Sequence, residues 1–214
     1  MFITFEGLDG AGKTTQIERL RRRLEELGTH VVMTREPGGT AIGDALRSML
    51  LDPGQTTLSG HTEALLYAAS RAQLLAEVVR PALANGDIVI CDRYVDASIA
   101  YQGAGLQLGI DAVGSVNAFA TGGLRPDMTI LMDLPVDESR HRVSENVRTV
   151  GPDRIEQRDV AYFERVREAF MQIARNEPDR VEVLDARQSP EDLEQEIWHL
   201  VSNRLNIIKG IHRG

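Results

Sequence analysis

The run from Phe5 to Thr15, which reads FEGLDGAGKTT, constrains what this chain can fold into more than any other segment. It follows a short apolar stretch and has the spacing G-x-x-x-x-G-K-[ST], so a strand should end here and a helix should begin. Glycines at such a junction let successive backbone N–H groups point into one concavity, where the positive end of the helix adds to their field. The pattern predicts a phosphate-binding loop made of Gly7, Leu8, Asp9, Gly10, Ala11, Gly12, Lys13, Thr14 and Thr15.

Two side chains of this loop have specific chemistry. Lys13 is placed to reach the β- and γ-phosphates of a nucleotide, and the Thr14 hydroxyl is placed to ligate Mg²⁺. An amphipathic helix over residues 14–27 is predicted to follow, because its leucines and isoleucine recur at helical spacing. The alternative is a glycine-rich turn that contains a lysine by chance, and the flanking strand and helix argue against it.

Short apolar runs alternate with longer helical patterns along the rest of the chain. The runs are Ile3–Phe5, His30–Met33, Asp87–Cys91, Met128–Met132 and Val181–Leu184. The helical patterns lie near 14–27, 61–84, 111–121, 135–145, 157–176 and 189–204. Strands that alternate with helices predict an α/β fold in which helices cover both faces of a five-stranded parallel sheet.

The topology also predicts where a site should lie. Right-handed crossovers bring the carboxyl ends of parallel strands to one edge of the sheet, together with the loops that follow them. We therefore expect four loops to converge on one cleft: Asp9–Lys13, Arg35–Thr40, Asp92–Tyr94 and Ala186–Gln188.

The chain is long enough for one such domain, which we place at residues 1–205, with 206–214 as a C-terminal tail. Residues 142–158 contain four arginines around a Gly-Pro pair, and they are predicted to form a small basic lid over bound phosphates. A surface loop between two helices is the simpler alternative for this segment.

Composition narrows the class of protein further. The net charge of −8 argues against a general nucleic-acid or membrane-surface binder. The single cysteine, Cys91, cannot form an internal disulfide, and it ends an apolar run, so it is predicted to be a small core residue in a reducing compartment. No signal peptide and no membrane span is visible, and a cytoplasmic protein is expected.

Two further motifs follow predicted strands. The Asp92 carboxylate is suited to hold a magnesium-bound water, and the fork of Arg93 matches two phosphate oxygens. Arg35, in the turn TREPGGT, would project from its strand end toward the same place. A surface ion pair and a plain turn with an incidental arginine are the respective alternatives.

The order of these motifs resembles the thymidylate kinases. GLDGAGKTT, TREPGGT, ASRAQ, DRY-VDASIAYQG and a basic DRIE segment follow one another as they do in that family, over residues 1 to about 200. The resemblance implies a P-loop NTPase fold and transfer of the ATP γ-phosphoryl group to dTMP, with Mg²⁺ as cofactor. It also implies a homodimer, to which helices near 61–84 and 94–121 could supply an apolar interface.

The resemblance assigns roles to individual residues. Asp9 matches the position that approaches the deoxyribose 3′-hydroxyl, Tyr67 an aromatic that stacks on thymine, and Arg71 an arginine that reaches thymine O4. Tyr101 and Gln102 match residues at the sugar 2′ position and the pyrimidine N3 edge. The implied substrate-binding residues are Asp9, Arg35, Tyr67, Arg71, Arg93, Ser98, Tyr101 and Gln102, and Arg187 joins the phosphate loop in binding ATP. Ordinary core and surface roles are the alternative for Tyr67, Arg71 and the residues 98–102.

The implied catalytic residues are Lys13, Arg93, Arg148 and Arg154. Some members of the family carry an arginine inside the phosphate loop, where this chain has Gly10 and Ala11. The lid is therefore expected to supply that positive charge, from Arg148 or Arg154.

Two other functions fit a phosphate loop. A signalling GTPase would need a guanine-reading Asn-Lys-x-Asp sequence, and the chain has none. A kinase for another nucleotide or nucleoside, such as dUMP or dGMP, is the second alternative.

Overall fold

The structure is a computed structural model that describes residues 1–146 and 151–211. Its centre is a sheet of five parallel strands in the order β2-β3-β1-β4-β5. The strands are β1 (Phe2–Glu6), β2 (Val31–Arg35), β3 (Ile88–Asp92), β4 (Met128–Asp133) and β5 (Val181–Asp185). Each apolar run forms the predicted strand, and every residue of β1 is buried, as expected for a parallel sheet that is covered on both faces.

Helices fill the crossovers and form the two outer layers. They are α1 (Lys13–Glu26), α2 (Ala41–Leu51), α3 (Gly60–Leu74), α4 (Arg80–Ala84), α5 (Val95–Ser98), α6 (Ile110–Thr121), α7 (Val136–Asn146), α8 (Val160–Asn176) and α9 (Pro190–Ile211). On one face of the sheet, apolar residues of α1 and α9 pack against β1, β3 and β4. On the other, α8 packs near β4 and β5, and α3 with α4 packs near β3. The result is the predicted three-layer α/β/α arrangement.

The helix α2 was not predicted from the sequence. The turn at Arg35–Thr40 was expected, but the helix that follows it was not, although Ile42, Leu46, Met49 and Leu50 recur at helical spacing. Thr40 starts the helix by accepting a hydrogen bond from Gly43 N at 2.9 Å through its hydroxyl. This helix matters for the site because it carries Arg47.

Two π-helical turns also departed from expectation. The predicted helix 61–84 is continuous, but it widens at Leu75–Val79, two residues before Pro81, which lacks the N–H that a regular turn would use. A second wide turn, Ile99–Gly105, extends α5. There Gly105 lies so close to α8 that a Cβ on it would be 2.5 Å from the Tyr162 ring, which explains why only glycine fits.

The C-terminal helix α9 continues to Ile211 and so includes part of the segment expected to be a tail from residue 206. Among the residues that the structure describes, no helix is long and apolar enough to cross a membrane. The carboxyl ends of the strands lie along one edge, as the topology requires.

Candidate active site

The phosphate-binding loop forms at the junction of β1 and α1, where it was predicted. Gly7 has φ 127°, and a Cβ there would lie 2.3 Å from the Met132 carbonyl oxygen, so the loop can pass β4 this closely only with glycine. Gly12 has φ 87° and turns the chain into α1, which begins at Lys13. The first N–H groups of α1 therefore face the concave side of the loop.

Lys13 is buried under this loop and is held by it. Its ammonium group donates to Leu8 O at 2.9 Å and to Gly7 O at 3.3 Å. Burial, together with the nearby charge of Arg93, lowers the pKa of the ammonium group. An ammonium ion that is largely shielded from water interacts strongly with any anion that reaches it, because the local dielectric constant is low.

Arg93 connects the end of β3 to the phosphate loop. Its guanidinium donates to Gly7 O at 2.8 Å and to Asp9 Oδ1 at 2.7 Å, and it lies 5.0 Å from the centre of the Tyr101 ring. Its φ is 71°, a conformation that costs free energy for a residue with a side chain and that is often found at functional sites. Arg93 and Asp9 thus meet across the cleft, as two of the loops were predicted to do.

Glu6 supports this turn from below, and the sequence analysis had not singled it out. Its side chain is fully buried, and its Oε1 accepts hydrogen bonds from Tyr94 N at 2.7 Å and Ala97 N at 3.3 Å. No partner for its Oε2 is present among residues 1–146 and 151–211. Burial, with a smaller contribution from Asp96, raises the pKa of Glu6 to about 8, against the lowering effect of Arg93.

Two predicted magnesium ligands lie at the edge of the same loop. Asp92 ends β3 opposite Phe5 of β1. Its negative charge is close enough to Lys13 to act on the pKa of that ammonium group. Thr14 is exposed in the first turn of α1. No protein hydrogen bond to the Asp92 carboxylate is found within the described part of the chain. No cluster of three or more metal-ligating side chains is found there either. A site with one carboxylate and one hydroxyl fits Mg²⁺, which binds proteins through few ligands and takes the rest from phosphates and water.

A cavity opens between the phosphate loop, α3 and the segment after β3. Seven of the eight residues predicted to bind substrate line it. They are Asp9, Tyr67, Arg71, Arg93, Ser98, Tyr101 and Gln102. We call this the acceptor cavity. Other residues of its lining are Glu36, Pro37, Arg47, Leu51, Ala97, Asp153 and Ile155.

Arg71 lies in the wall of the acceptor cavity but is almost completely buried, with 1% of its surface exposed. Its Nε donates to Glu36 at 2.7 Å, its Nη2 to Tyr94 O at 2.9 Å, and its Nη1 to Ser98 Oγ at 3.1 Å and to Asn117. All three nitrogens therefore already have protein acceptors. Contact between Arg71 and thymine O4 stays a prediction, and it would require one of these bonds to be shared.

Tyr101 and Gln102 project from the π-helical turn after α5. The Tyr101 ring stands edge-on to Tyr162 and Phe170 of α8, and its hydroxyl group is buried without a partner among the described residues. The Gln102 amide donates from Nε2 to Glu63 Oε1 at 2.9 Å. Both side chains have the fixed placement that recognition of a sugar and a base would need.

One arginine in the lining of the acceptor cavity was not among the predicted residues, and the role of Arg35 in substrate binding stays a prediction. Arg35 is exposed at the end of β2 and does not line the acceptor cavity. Arg47 of α2 lines it instead and donates to Pro37 O at 3.0 Å. Burial, followed by the charge of Arg35, lowers the pKa of Arg47, which still remains a cation at neutral pH. Arg47 was not predicted because the helix that carries it, α2, was not.

Of the lid arginines, Arg148 lies outside the described residues. Arg154 faces the acceptor side, where its Nε donates to Leu50 O at 2.8 Å and its Nη2 lies 2.8 Å from Glu63 Oε2. Arg158 donates to the same carboxylate oxygen at 2.5 Å. The predicted catalytic role of Arg154 is not tested by this arrangement, in which its guanidinium connects the segment after residue 151 to α2 and α3.

On the donor side, the loop after β5 approaches the phosphate loop. Arg142 of α7 connects the two by donating to Gly10 O and to Ala186 O, each at 3.2 Å. Arg187, predicted to bind ATP, is exposed and forms a two-pronged ion pair with Asp185. Arg142 could have been found from the sequence as the first arginine of the basic segment.

Comparison with known proteins agrees with this architecture. A family model described as Thymidylate kinase matches residues 5–197. A thymidylate kinase from Exiguobacterium sibiricum is 54% identical over 196 residues, which cover 92% of this chain and 91% of that protein. Another from Syntrophotalea carbinolica is 46% identical over 213 residues, which cover 98% of this chain and 99% of the relative.

A solved structure is similar in three dimensions as well. The crystal structure of thymidylate kinase from Ehrlichia chaffeensis has a TM-score of 0.76 and 32% sequence identity, and the match covers 94% of this chain and 98% of that one. The family model, the sequence relatives and the solved structure all point to the same group of enzymes. The chain belongs to the thymidylate kinase family.

Proposed function

We propose that the chain transfers the γ-phosphoryl group of ATP to dTMP and releases dTDP and ADP. The observation that carries the proposal is the acceptor cavity itself. It runs from Asp9 and Arg93 at the phosphate loop to a flat aromatic ring, Tyr67, and a hydrogen-bonding amide, Gln102. A space with an arginine at the phosphate loop, and with an aromatic ring and an amide farther along its lining, suits a nucleoside monophosphate.

Charge compensation is the main task of such a site. The phosphate of dTMP is already an anion, so the transfer needs no strong general base, but two highly charged groups must approach each other. Lys13 and Arg93 supply fixed positive charge from the phosphate loop and from β3. An arginine of the lid, Arg148 or Arg154, is proposed to complete the set on closure.

Mg²⁺ supplies further compensation of phosphate charge when it is bound. Thr14 and Asp92 are the residues proposed to hold it, the first by its hydroxyl and the second by its carboxylate, directly or through water.

On the acceptor side, Arg47 and Arg93 are proposed to orient the dTMP phosphate. Tyr67 provides a ring on which the base can stack. Burial and the nearby carboxylate of Glu63 raise the pKa of the Tyr67 phenol, which therefore stays neutral. The packed Tyr101 ring is proposed to exclude a ribose 2′-hydroxyl, and Asp9 to approach the 3′-hydroxyl.

We also propose that the chain forms a homodimer through α2, α3 and α6. These neighbouring helices carry apolar side chains that are largely exposed, above all Phe119, which is 93% exposed, and Leu65, which is 57% exposed. Apolar surface of this kind on packed helices is typical of an interface between copies. A cytoplasmic location is proposed on the separate ground of the single, buried Cys91.

A nucleotide panel tests the proposed activity. The purified chain with ATP and Mg²⁺ would be assayed on dTMP, dUMP, dCMP, dGMP and AMP. We expect dTMP to give the highest kcat/KM. Activity on AMP or dGMP alone would contradict the proposal and favour another nucleotide kinase.

Two variants assign the activity to this site. Lys13→Ala and Arg93→Ala each remove one positive charge next to the transferred group, and loss of such a charge in phosphoryl transfer costs about 10³-fold or more in rate. We expect both variants to keep the thermal unfolding profile of the parent protein while turnover is lost. Retention of the parent rate by either variant would show that its assigned role is wrong.

A further inference from the structure

Glu63 of α3 is a buried carboxylate to which the transfer mechanism gives no part. It is 0% exposed and stands behind the lining of the acceptor cavity, on the same face of α3 as Tyr67 and Arg71. One of its oxygens, Oε1, accepts a hydrogen bond from Gln102 Nε2 at 2.9 Å. The other, Oε2, faces the two lid guanidiniums.

The lid contacts fix how this carboxylate is turned. Arg158 Nη2 donates to Oε2 at 2.5 Å, and Arg154 Nη2 lies 2.8 Å from the same atom, although without the alignment of a hydrogen bond. Because both cations are on the side of Oε2, Oε1 is left directed at Gln102. A carboxylate that faces two guanidiniums in this way accepts hydrogen bonds and donates none.

This neighbour decides which end of the Gln102 amide faces the cavity. An amide has a donor end, the NH₂ group, and an acceptor end, the oxygen, and the two are close in shape. Since Glu63 accepts only, it can pair only with the NH₂ end. Among the residues that the structure describes, no donor reaches Gln102 Oε1, so the oxygen is the end available to a ligand in the cavity.

An oxygen at this position distinguishes pyrimidines by their N3 atom. Thymine and uracil carry a hydrogen on N3 and can donate to the amide oxygen, whereas cytosine N3 is an acceptor and would repel it. Arg71, the other residue predicted to form a hydrogen bond with the base, has protein acceptors on all three of its nitrogens. Discrimination at N3 therefore depends on the direction of the Gln102 amide.

We propose that Glu63 is a positioning residue for base selection, which holds the Gln102 amide oxygen toward the acceptor cavity and so favours pyrimidines with an N3 hydrogen over cytosine. The proposal rests on the proposed function, because it concerns the nucleotide that this same cavity accepts. Glu63 itself does not touch the nucleotide and acts through Gln102.

The variant Glu63→Gln tests the proposal, with kcat/KM measured for dTMP, dUMP and dCMP. A glutamine at this position can donate or accept a hydrogen bond, so the Gln102 amide can rotate by half a turn and present its NH₂ group to the cavity. We expect kcat/KM to fall by the same factor for dTMP and dUMP. The preference for dTMP over dCMP should drop about tenfold or more, the equivalent of one hydrogen bond gained or lost. The preference for dTMP over dUMP should not change, since it depends on the methyl group.

Two matched variants separate selection from general damage. Arg158→Gln removes a lid contact to Glu63 but leaves the carboxylate as an acceptor for Gln102, so all three substrates should slow alike. In a Gln102→Ala background the Glu63→Gln change should no longer alter the dTMP to dCMP preference, because the group through which it acts is gone. If Glu63→Gln does not fold, Glu63→Met, which also removes the acceptor, replaces it.

The outcomes are distinct for the two proposals. A folded Glu63→Gln protein that slows equally on dTMP, dUMP and dCMP would overturn the role in base selection. An unchanged preference in that variant, or a shift that persists without Gln102, would overturn it as well. If the parent protein phosphorylates none of the three pyrimidine nucleotides, the proposed function fails instead.

Discussion

At the scale of single residues, the site contains buried polar side chains whose partners are in distant parts of the chain. Glu6 is the clearest case. It is the last residue of β1, and its side chain accepts hydrogen bonds from the backbone of the turn after β3. That turn contains Arg93 in its unfavourable backbone conformation. The hydrogen bonds to Glu6 and the contacts of Arg93 with Gly7 and Asp9 together hold the conformation in place.

Glu6 should make the stability of the protein depend on pH. Its pKa is raised from the ordinary 4.5 to about 8 in the folded protein, so unfolding releases a proton at any pH between these values. The free energy of unfolding should therefore fall as pH rises through this range, by up to about 1.4 kcal/mol per pH unit, and level off above it. Glu6→Gln has no proton to release, so this part of the slope should be absent when unfolding by urea is measured across the range.

The exposed residue Glu26, at the end of α1, provides the control. Glu26→Gln should keep the pH dependence of the parent protein, since its carboxyl group is in water in both states. If Glu6→Gln showed the same slope as the parent between pH 5 and 8, the buried carboxyl group would not be protonated in the folded protein.

At the scale of elements, strands and phosphate loop could be predicted because local sequence determines them. The five apolar runs and the glycine-lysine spacing each point to one structure without reference to distant residues. The helix α2 also has a local pattern, apolar residues at helical spacing after the Thr40 cap, but this pattern was not recognised and Arg47 was missed with it. The contacts of Arg71 and Glu63 depend on which helices pack together, which no local pattern contains.

The two arginines of the predicted lid, Arg148 and Arg154, should affect different kinetic constants. Arg154 fastens the segment to Leu50 and Glu63, on the acceptor side. We therefore expect Arg154→Ala to raise the KM for dTMP more than it lowers kcat, because the lid loses an anchor next to the acceptor cavity. Arg148→Ala should lower kcat, by about 10³-fold or more if Arg148 compensates charge on the transferred group.

Steady-state kinetics with varied dTMP at saturating ATP would distinguish the two. A large loss of kcat in Arg154→Ala, together with a near-parental rate in Arg148→Ala, would reverse the assignment. Thermal unfolding of each variant shows whether the fold is retained.

At the scale of the whole molecule, the proposed dimer gives a simple test. Phe119→Asp places a charge on the most exposed apolar side chain of α2, α3 and α6, where it would be buried by a second copy. We expect the parent protein to sediment as a dimer and this variant as a monomer in analytical ultracentrifugation. Val160→Asp, at an exposed valine of α8, is the matched control and should remain dimeric. A parent protein that is monomeric at all concentrations would contradict the interface.

The network around Arg71 has a consequence for anyone who designs inhibitors of this enzyme. Its guanidinium fastens the β2 loop through Glu36, α5 through Ser98, α6 through Asn117 and the β3 turn through Tyr94. That wall of the acceptor cavity is therefore held at four points, whereas Asp153 and Ile155, which also line the cavity, belong to the segment predicted to act as a lid. A compound should be matched tightly in shape to the Arg71 side, and chemical variation is better placed where it meets the lid.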